Sequence, residues 1–274
     1  MKKFILILIL IVLSIAIGLN WNRNQTDNIR EDDSARRAIL LRFALVSDSE
    51  NENDLLSKAL NQAKGAGVNF VIGLGDFSSV GTLDQLKSAK EVFDKSGLTY
   101  YITPGDRDLW DSRNRGEEAI TNFLQVFGHL SQPIYKEEGI QFVIINNSDI
   151  YTGISDAEIS NFKFQISNSS QYKLTLVFAH KTPFHPQSAH VMGENSQTVA
   201  EQASRLVELM ETSSVDGFFS GDLHFFAQFN SPSGNVKMTT IGAVNSARNF
   251  QGPRFAVVTV FDDYSWEVED IEIR

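Results

Sequence analysis

Cysteine is absent from this chain of 274 residues. Its absence excludes disulfide bonds, thiolate metal sites, cysteine nucleophiles and a lipid-modified cysteine behind the N-terminal segment. Two common catalytic motifs are missing as well. There is no Gly-x-Ser-x-Gly elbow of a serine hydrolase. The segment GLGDFS (residues 73–78) lacks the third glycine of a dinucleotide loop and the lysine of a P-loop.

Positive charge is in short supply. The sequence contains 24 lysines and arginines but 34 aspartates and glutamates, which gives a net charge of −10. No basic patch stands out, so we expect no binding to nucleic-acid backbones. The hydrophobic content of 42% and the charged content of 21% are ordinary for a globular protein.

The N-terminus carries the clearest compositional signal. Lys2 and Lys3 precede an apolar run from Phe4 to Leu19. Residues 1–20 therefore predict a signal peptide or a membrane anchor, and the weak cleavage site favours the anchor. In either case the lysines stay in the cytoplasm, which predicts an extracytoplasmic protein, membrane-anchored or secreted. Residues 21–37 are polar and aperiodic and predict a linker.

Residues 38–274 predict one large domain of the α/β class. In its first half, apolar segments such as AILLRFALV and NFVIGL alternate with amphipathic segments such as LDQLKSAKEVFDKSG. The last quarter contains strand patterns almost exclusively, including RFAVVTVFDD and SWEVEDIEI. This order predicts two sheets with helices outside them.

Acids and histidines follow the predicted strands closely. Taken singly, an aspartate after a strand is usually a turn or capping residue. Taken together they form a pattern, because the carboxyl ends of parallel strands meet at one edge of a sheet. The acids and histidines concerned are Asp48, Glu50, Asp76, Asp106, Asp108, His180, Asp222 and His224, and Arg107 lies between two of the acids.

The order and spacing of these residues resemble the calcineurin-like metallophosphoesterase family. That family reads Asp-x-His, Gly-Asp, Gly-Asn-His-Asp/Glu, a histidine after a strand, and Gly-His-x-His. The counterparts here are DSE (48–50), GD (75–76), GDRD (105–108), His180 and GDLH (221–224). The resemblance covers residues 40–274. It implies a four-layer α/β/β/α sandwich with two central mixed β-sheets, preceded here by the N-terminal hydrophobic helix. It also implies a site that hydrolyses a phosphate mono- or diester with two divalent ions.

The resemblance implies a role for each residue. The first ion would be held by Asp48, Glu50, Asp76 and His224. The second would be held by Asp76, Asp106, His180 and Asp222, with Asp76 bridging. The family has histidine where this chain has Glu50 and Asp222, and asparagine where it has Asp106. Each replacement can still bind a metal ion, and the added carboxylates favour Mn²⁺, Mg²⁺ or Ca²⁺ over Zn²⁺.

Arg107 stands where the family has a histidine that stabilises the leaving group. An arginine can hold phosphoryl oxygens but cannot act as a general acid. Asp108 matches the closing acid of the motif and would orient the loop. His185 and His190 lie in the loop after His180 and could line the mouth of a substrate site.

Two interpretations remain open from the sequence. In the first, the protein is a phosphoesterase whose substrate is a phosphorylated small molecule or lipid. In the second, it is a catalytically weak or inactive binding module with the same fold, tethered to the membrane. The retained ligand-capable residues favour the enzyme. The replacement of histidine by Arg107 and the excess negative charge favour the module.

Overall fold

The computed structural model describes residues 37–128, 134–136, 139–167 and 169–274. The predicted N-terminal anchor and all of the predicted linker except Arg37 lie outside these residues. Arg37 is attached to the domain, because its guanidinium donates hydrogen bonds to Ser265 and Glu267. Among the residues described, no helix combines the length and the hydropathy needed to span a bilayer.

The first sheet joins both ends of the described chain. Its strands are β1 (Ile39–Val46), β2 (Phe70–Gly73), β3 (Tyr100–Ile102), β10 (Arg254–Phe261) and β11 (Trp266–Glu272). Their spatial order is β11-β10-β1-β2-β3. β1, β2 and β3 run parallel, whereas β10 runs antiparallel to both of its neighbours.

The second sheet contains the middle of the chain. Its strands are β4 (Ile134–Lys136), β5 (Ile140–Ile144), β6 (Leu174–Phe178), β7 (Gly217–Ser220), β8 (Ala227–Asn230) and β9 (Lys237–Thr240). They follow the order β4-β5-β6-β7-β9-β8, with an antiparallel strand at each edge of an otherwise parallel sheet. The sequence pattern does not predict β4, because three residues are too few to show a period.

Helices cover the outer face of each sheet. The described helices are α1 (Asn53–Gly65), α2 (Leu83–Ser96), α3 (Trp110–Asn114), α4 (Thr121–Phe127), α5 (Asp156–Ser167) and α6 (Gln197–Thr212). α2 begins where the Thr82 hydroxyl accepts a hydrogen bond from the Gln85 amide, and it ends at Gly97 in the left-handed conformation. The buried faces of α1 and α2 pack on the first sheet, and those of α5 and α6 pack on the second.

Alternate side chains of β1 point into the two core layers on either side of the first sheet. Phe43 and Leu45 point toward the second sheet, whereas Ala44 and Val46 point toward the helices. Between the sheets, Phe43 stacks on Phe70 at a centroid distance of 5.4 Å. It also meets Phe142 edge-on at 5.2 Å. Burying each such ring contributes roughly 1.5–3 kcal/mol to stability. The predicted sandwich of two mixed sheets between helices is confirmed.

Candidate active site

The predicted site residues meet at the carboxyl ends of strands from both sheets. Asp48 and Glu50 follow β1, and their amides donate to the carbonyls of Gly75 and Asp76, each at 2.9 Å. These bonds join the first two motif loops. Across the gap between the sheets, the Asp222 amide donates to Asp48 Oδ2 at 3.1 Å. Hydrogen bonds donated by backbone amides thus hold the motifs together independently of any bound ion.

Strained backbone is concentrated at this edge. Among the described residues, eight other than glycine have a positive φ, and five of these eight are predicted ligands. These five are Asp48, Glu50, Asp76, Asp222 and His224, with φ between 43° and 67°. Aspartate tolerates the left-handed region moderately well, but glutamate and histidine enter it less readily. Unfavourable backbone of this kind persists mainly at functional sites, where the surrounding structure over-determines it.

Two glycines allow the motif loops to approach each other. A Cβ atom on Gly105 would lie 2.0 Å from Asp76 Oδ1. One on Gly221 would lie 1.9 Å from the Ser47 hydroxyl oxygen. Neither position allows a larger side chain without moving a loop. The glycine that precedes Asp106 and the one that precedes Asp222 are therefore required by space.

His180 lies at the centre of the acidic cluster and is fully buried. Its Nε2 is 3.4 Å from Asp106 Oδ1, 3.6 Å from Asp222 Oδ1 and 3.7 Å from Asp76 Oδ1. Its Nδ1 donates to the Leu74 carbonyl at 2.7 Å, which turns Nε2 toward the acids. Burial alone would lower the pKa of His180, but Asp76 and the other acids raise it to about 10. Without a metal ion, the acids therefore favour the protonated form of this side chain.

Two overlapping groups in the cluster have the spacing of metal ligands. One consists of Asp48, Asp76 and His180, and the other of Asp106, His180 and Asp222, with ligand atoms in each group within 4.8 Å of one another. Two carboxylate oxygens, Asp48 Oδ1 and Asp222 Oδ2, are buried without a hydrogen-bond donor among the described residues. A buried acceptor of this kind is costly unless a cation satisfies it. The group around Asp48 and Asp76 therefore fits a divalent cation.

Glu50 lies at the more exposed side of the cluster, and nitrogen atoms of three basic side chains lie near its carboxylate. Its Oε1 is 3.1 Å from Arg107 Nε, 3.0 Å from a terminal nitrogen of Arg248 and 3.5 Å from His224 Nε2. His224 Nε2 is also 3.6 Å from Asp48 Oδ1. Arg248 is a neighbour that the sequence motifs do not identify. It is mostly exposed and comes from a loop without a recognisable motif.

Arg107 is held at one nitrogen. Besides Glu50, its Nε faces Asp76 Oδ2 at 3.5 Å, and its guanidinium lies 5.0 Å from the centre of the Trp110 ring. Its two terminal nitrogens form no ion pair with any residue in the described ranges. The fork of the guanidinium is therefore available for another group.

Lys181 is a further cation in the cluster, and the motifs do not identify it either. Its Nζ is 2.7 Å from Asp222 Oδ1 and 4.0 Å from Asp106 Oδ1, and its side chain is 5% exposed. Burial opposes ionisation, but Lys181 keeps the pKa of Asp222 well below its usual range. The sequence does contain a signal for it. Five carboxylates with a single arginine among them indicate that another cation is close by, and Lys181 directly follows a predicted ligand.

The two histidines of the loop after β6 lie in different places. His190 is half-exposed, and its Nε2 is 3.5 Å from Asp222 Oδ2. This contact raises the pKa of His190 to about 9. His185 is not part of the cluster. It accepts hydrogen bonds from the Gln187 and Ser188 amides and packs against aromatic rings in a separate pocket of about 430 Å³. That pocket is lined by His185, Pro186, Gln187, Ser188, Phe225, Ala227, Gln228 and Phe229.

Both carboxylate oxygens of Asp108 are engaged within the loops. The side chain accepts hydrogen bonds from the Ser78 amide at 2.9 Å, the Ser78 hydroxyl at 2.7 Å and the Gly105 amide at 3.0 Å. Asp108 is fully buried, and burial raises its pKa. It therefore holds the second and third motif loops together, and neither oxygen is left to contact a substrate.

Comparison with known proteins places this geometry in a known fold. No family model and no curated protein matches the sequence. Among solved structures, the purple acid phosphatase PPD1 of yellow lupin aligns with 85% of this chain and 51% of its own, at 13% identity and a TM-score of 0.62. A protein described as a 5′-nucleotidase of Staphylococcus aureus aligns with 84% of this chain and 53% of its own, at 12% identity and a TM-score of 0.54. The chain has the calcineurin-like metallophosphoesterase fold.

A third structure with this fold has a different description. GAP50, the anchor in the inner membrane complex of Plasmodium, aligns with 86% of this chain and 90% of its own. The identity is 15% and the TM-score 0.58. By contrast, the chain spans about half the length of the lupin phosphatase and of the staphylococcal protein. At these identities the likeness establishes the metallophosphoesterase fold alone.

We expect Asp108→Ala to lower the free energy of unfolding by about 3 kcal/mol or more. It leaves the buried donors of Ser78 and Gly105 without an acceptor, at about 1–3 kcal/mol for each donor. Urea denaturation of the metal-free protein measures this. Glu91→Ala, which removes an exposed ion pair on α2, is the control and should change stability by less than about 0.5 kcal/mol. Wild-type stability of Asp108→Ala would contradict the loop-holding role.

Proposed function

We propose that the protein is a metal-dependent phosphoesterase that hydrolyses a phosphate mono- or diester outside the cytoplasm. One observation carries the proposal. The acids and histidines of five motif loops converge from both sheets on one cluster, which has two groups with metal-ligand spacing and buried carboxylate oxygens without donors. The metallophosphoesterase fold supports the same activity.

Asp48, Asp76 and His180 would hold the ion, with Glu50 and His224 beside them. A bound divalent ion supplies positive charge for a phosphoryl group and lowers the pKa of water. Because the donors are mainly carboxylate oxygens, Mn²⁺, Mg²⁺ and Ca²⁺ are favoured over Zn²⁺. The expectation of two ions comes from the family resemblance alone.

The protein supplies the groups that bind and orient the phosphate. Arg107 is anchored through Nε by Glu50 and Asp76, so its terminal nitrogens can form two parallel hydrogen bonds to phosphoryl oxygens. His190 is half-exposed beside Asp222, and with a pKa of about 9 it is protonated at neutral pH. It therefore adds a positive charge and can donate a proton from Nε2 to a departing oxygen.

A hydrolysis panel tests the proposal. The full chain is assayed with p-nitrophenyl phosphate and bis(p-nitrophenyl) phosphate in the presence of Mn²⁺, Mg²⁺, Ca²⁺ or Zn²⁺. We expect hydrolysis of at least one ester, with Mn²⁺ or Mg²⁺ more effective than Zn²⁺. Asp76→Asn should reduce the rate by about 100-fold or more, because it removes a shared ligand. Asp263→Asn, an exposed change in the turn after β10, is the matched control and should leave the rate unchanged. Ion binding without hydrolysis of either ester would count against the enzyme.

Arg107→Ala separates substrate binding from ion binding. We expect the turnover number to fall by about 10²–10³-fold, because one charge-stabilising donor is lost. The affinity for Mn²⁺, measured by calorimetry, should hardly change. Arg205→Ala, at an exposed position of α6, is the control for removing a positive charge. If Arg107→Ala binds Mn²⁺ more tightly and neither protein hydrolyses an ester, the role of Arg107 is to neutralise the acids.

That outcome would favour the second candidate, a binding module tethered to the membrane. A specific observation supports this alternative. Arg107 and Lys181 already form ion pairs with Glu50, Asp76 and Asp222, so protein cations balance part of the acidic cluster. A protein described as an anchor has the same fold.

A phosphorylated small molecule or lipid remains the proposed substrate of the enzyme.

The extracytoplasmic location rests on residues 1–20. We expect protease added to intact cells or spheroplasts to digest the domain, because Lys2 and Lys3 keep the start of the chain in the cytoplasm. A cytoplasmic protein probed in the same samples serves as the control and should survive. If the domain is digested only after lysis, its location is cytoplasmic.

A further inference from the structure

We infer that the ammonium group of Lys181 takes the place of the second metal ion, so that the centre binds one divalent ion and uses a lysine as its other cation. This inference deepens the proposed function, because it starts from the metal centre proposed there. It replaces the expectation of two ions that comes from the family resemblance. Three features of the structure carry it.

The first feature is where the ammonium lies. The second ion would be held by Asp76, Asp106, His180 and Asp222. Lys181 Nζ is 2.7 Å from Asp222 Oδ1 and 4.0 Å from Asp106 Oδ1. His180 Nε2 approaches the same two oxygens at 3.6 Å and 3.4 Å. A metal ion bound to these oxygens at roughly 2.0–2.6 Å would share both of them with the ammonium. Two cations so close in a buried site repel each other strongly.

The second feature is that each oxygen of Asp222 already faces a nitrogen of a neighbouring side chain. Its Oδ1 forms the ion pair with Lys181, and its Oδ2 faces His190 Nε2 at 3.5 Å. A second ion at Oδ1 would have to displace the ammonium of Lys181, and one at Oδ2 would lie directly beside His190. Separating a buried ion pair is strongly unfavourable when one charge is left without a partner. The residues around Asp222 therefore fit an ammonium better than they fit a metal ion.

The third feature is the fixed backbone of Lys181. The buried side chain of Asn147 accepts a hydrogen bond from the Lys181 amide at 3.0 Å and donates one to its carbonyl at 2.6 Å. The preceding His180 carbonyl accepts from the Gly221 amide at 2.9 Å. The backbone of Lys181 is thus held on both sides, and its side chain, which is 5% exposed, lies inside the cluster.

The chemistry of the substituted ligand agrees with this assignment. The family has a neutral imidazole where this chain has Asp222, and a carboxylate alone would add a negative charge. The Lys181–Asp222 pair has no net charge, so together the two residues restore the charge of the imidazole. A lysine can also bind a phosphoryl oxygen as a point charge. The pair thus matches the charge of the ligand that it replaces, and the ammonium occupies the place of the ion without supplying its full charge.

Counting bound ions tests the inference. The full chain is stripped with a chelator, titrated with Mn²⁺ by calorimetry and analysed for bound manganese after desalting. We expect one ion in the wild type and two in Lys181→Met, which keeps the length of the side chain and removes its charge. Lys181→Arg keeps the charge and should bind one. Lys58→Met, at an exposed position of α1, is the matched control and should also bind one. Lys181→Gln replaces Lys181→Met if the latter does not fold, and it should bind two ions.

Two ions in the wild type would overturn the inference, as would one ion in both the wild type and Lys181→Met. The proposed function is judged separately by ester hydrolysis. One ion without hydrolysis leaves the inference intact and rejects the enzyme. Two ions with hydrolysis reject the inference and retain the enzyme. Failure of every variant to bind Mn²⁺ would remove both.

Discussion

Mutual repulsion among five buried or partly buried carboxylates is the constraint on which this structure depends. Asp48, Glu50, Asp76, Asp106 and Asp222 lie together where the two sheets meet. Burial raises the pKa of Asp76 well above its ordinary value, which shows how strongly its charge is disfavoured there. Basic side chains of the surrounding residues offset this repulsion. His180, Lys181 and Arg107 each approach at least two of the acids.

The same constraint explains why the loops are so rigidly built. An acidic cluster would spread apart if its backbone were free to move. Here the loops cross-bond through amides, and Gly105 and Gly221 allow them to pack without side chains between them. Asp108 adds a further brace under the third loop. The left-handed backbone conformation of the predicted ligands is unfavourable, but it directs their side chains inward. The tight packing of the surrounding loops offsets its free-energy cost.

Much of the fold could be predicted from the sequence, because period and order are local signals. Strand β1 alternates between two buried layers, and α6 repeats its apolar residues at helical spacing. The convergence of Asp48, Asp76, His180 and Asp222 could also be anticipated, since each follows a parallel strand. Short elements could not. β4 has three residues, and α3 is five residues long and follows a single 3₁₀ turn.

The cations around the acids were the harder part of the site to foresee. A motif identifies residues that can bind a metal, but it does not indicate which neighbouring side chain will fill the same space. Lys181 and Arg248 become partners of Asp222 and Glu50 only through tertiary packing. His185 and His190 are five residues apart and look equivalent in sequence. The loop turns one toward Asp222 and the other into an aromatic pocket.

The strand order of the first sheet has a consequence for how this protein is made. β1 is the first strand of the described domain, yet one of its two edges pairs with β10, which begins at Arg254. During synthesis that edge stays open until β10 has left the ribosome. An unpaired, apolar strand edge attracts other chains. The nascent protein therefore carries an aggregation-prone edge throughout the synthesis of the residues between β1 and β10, and pairing with β10 covers it.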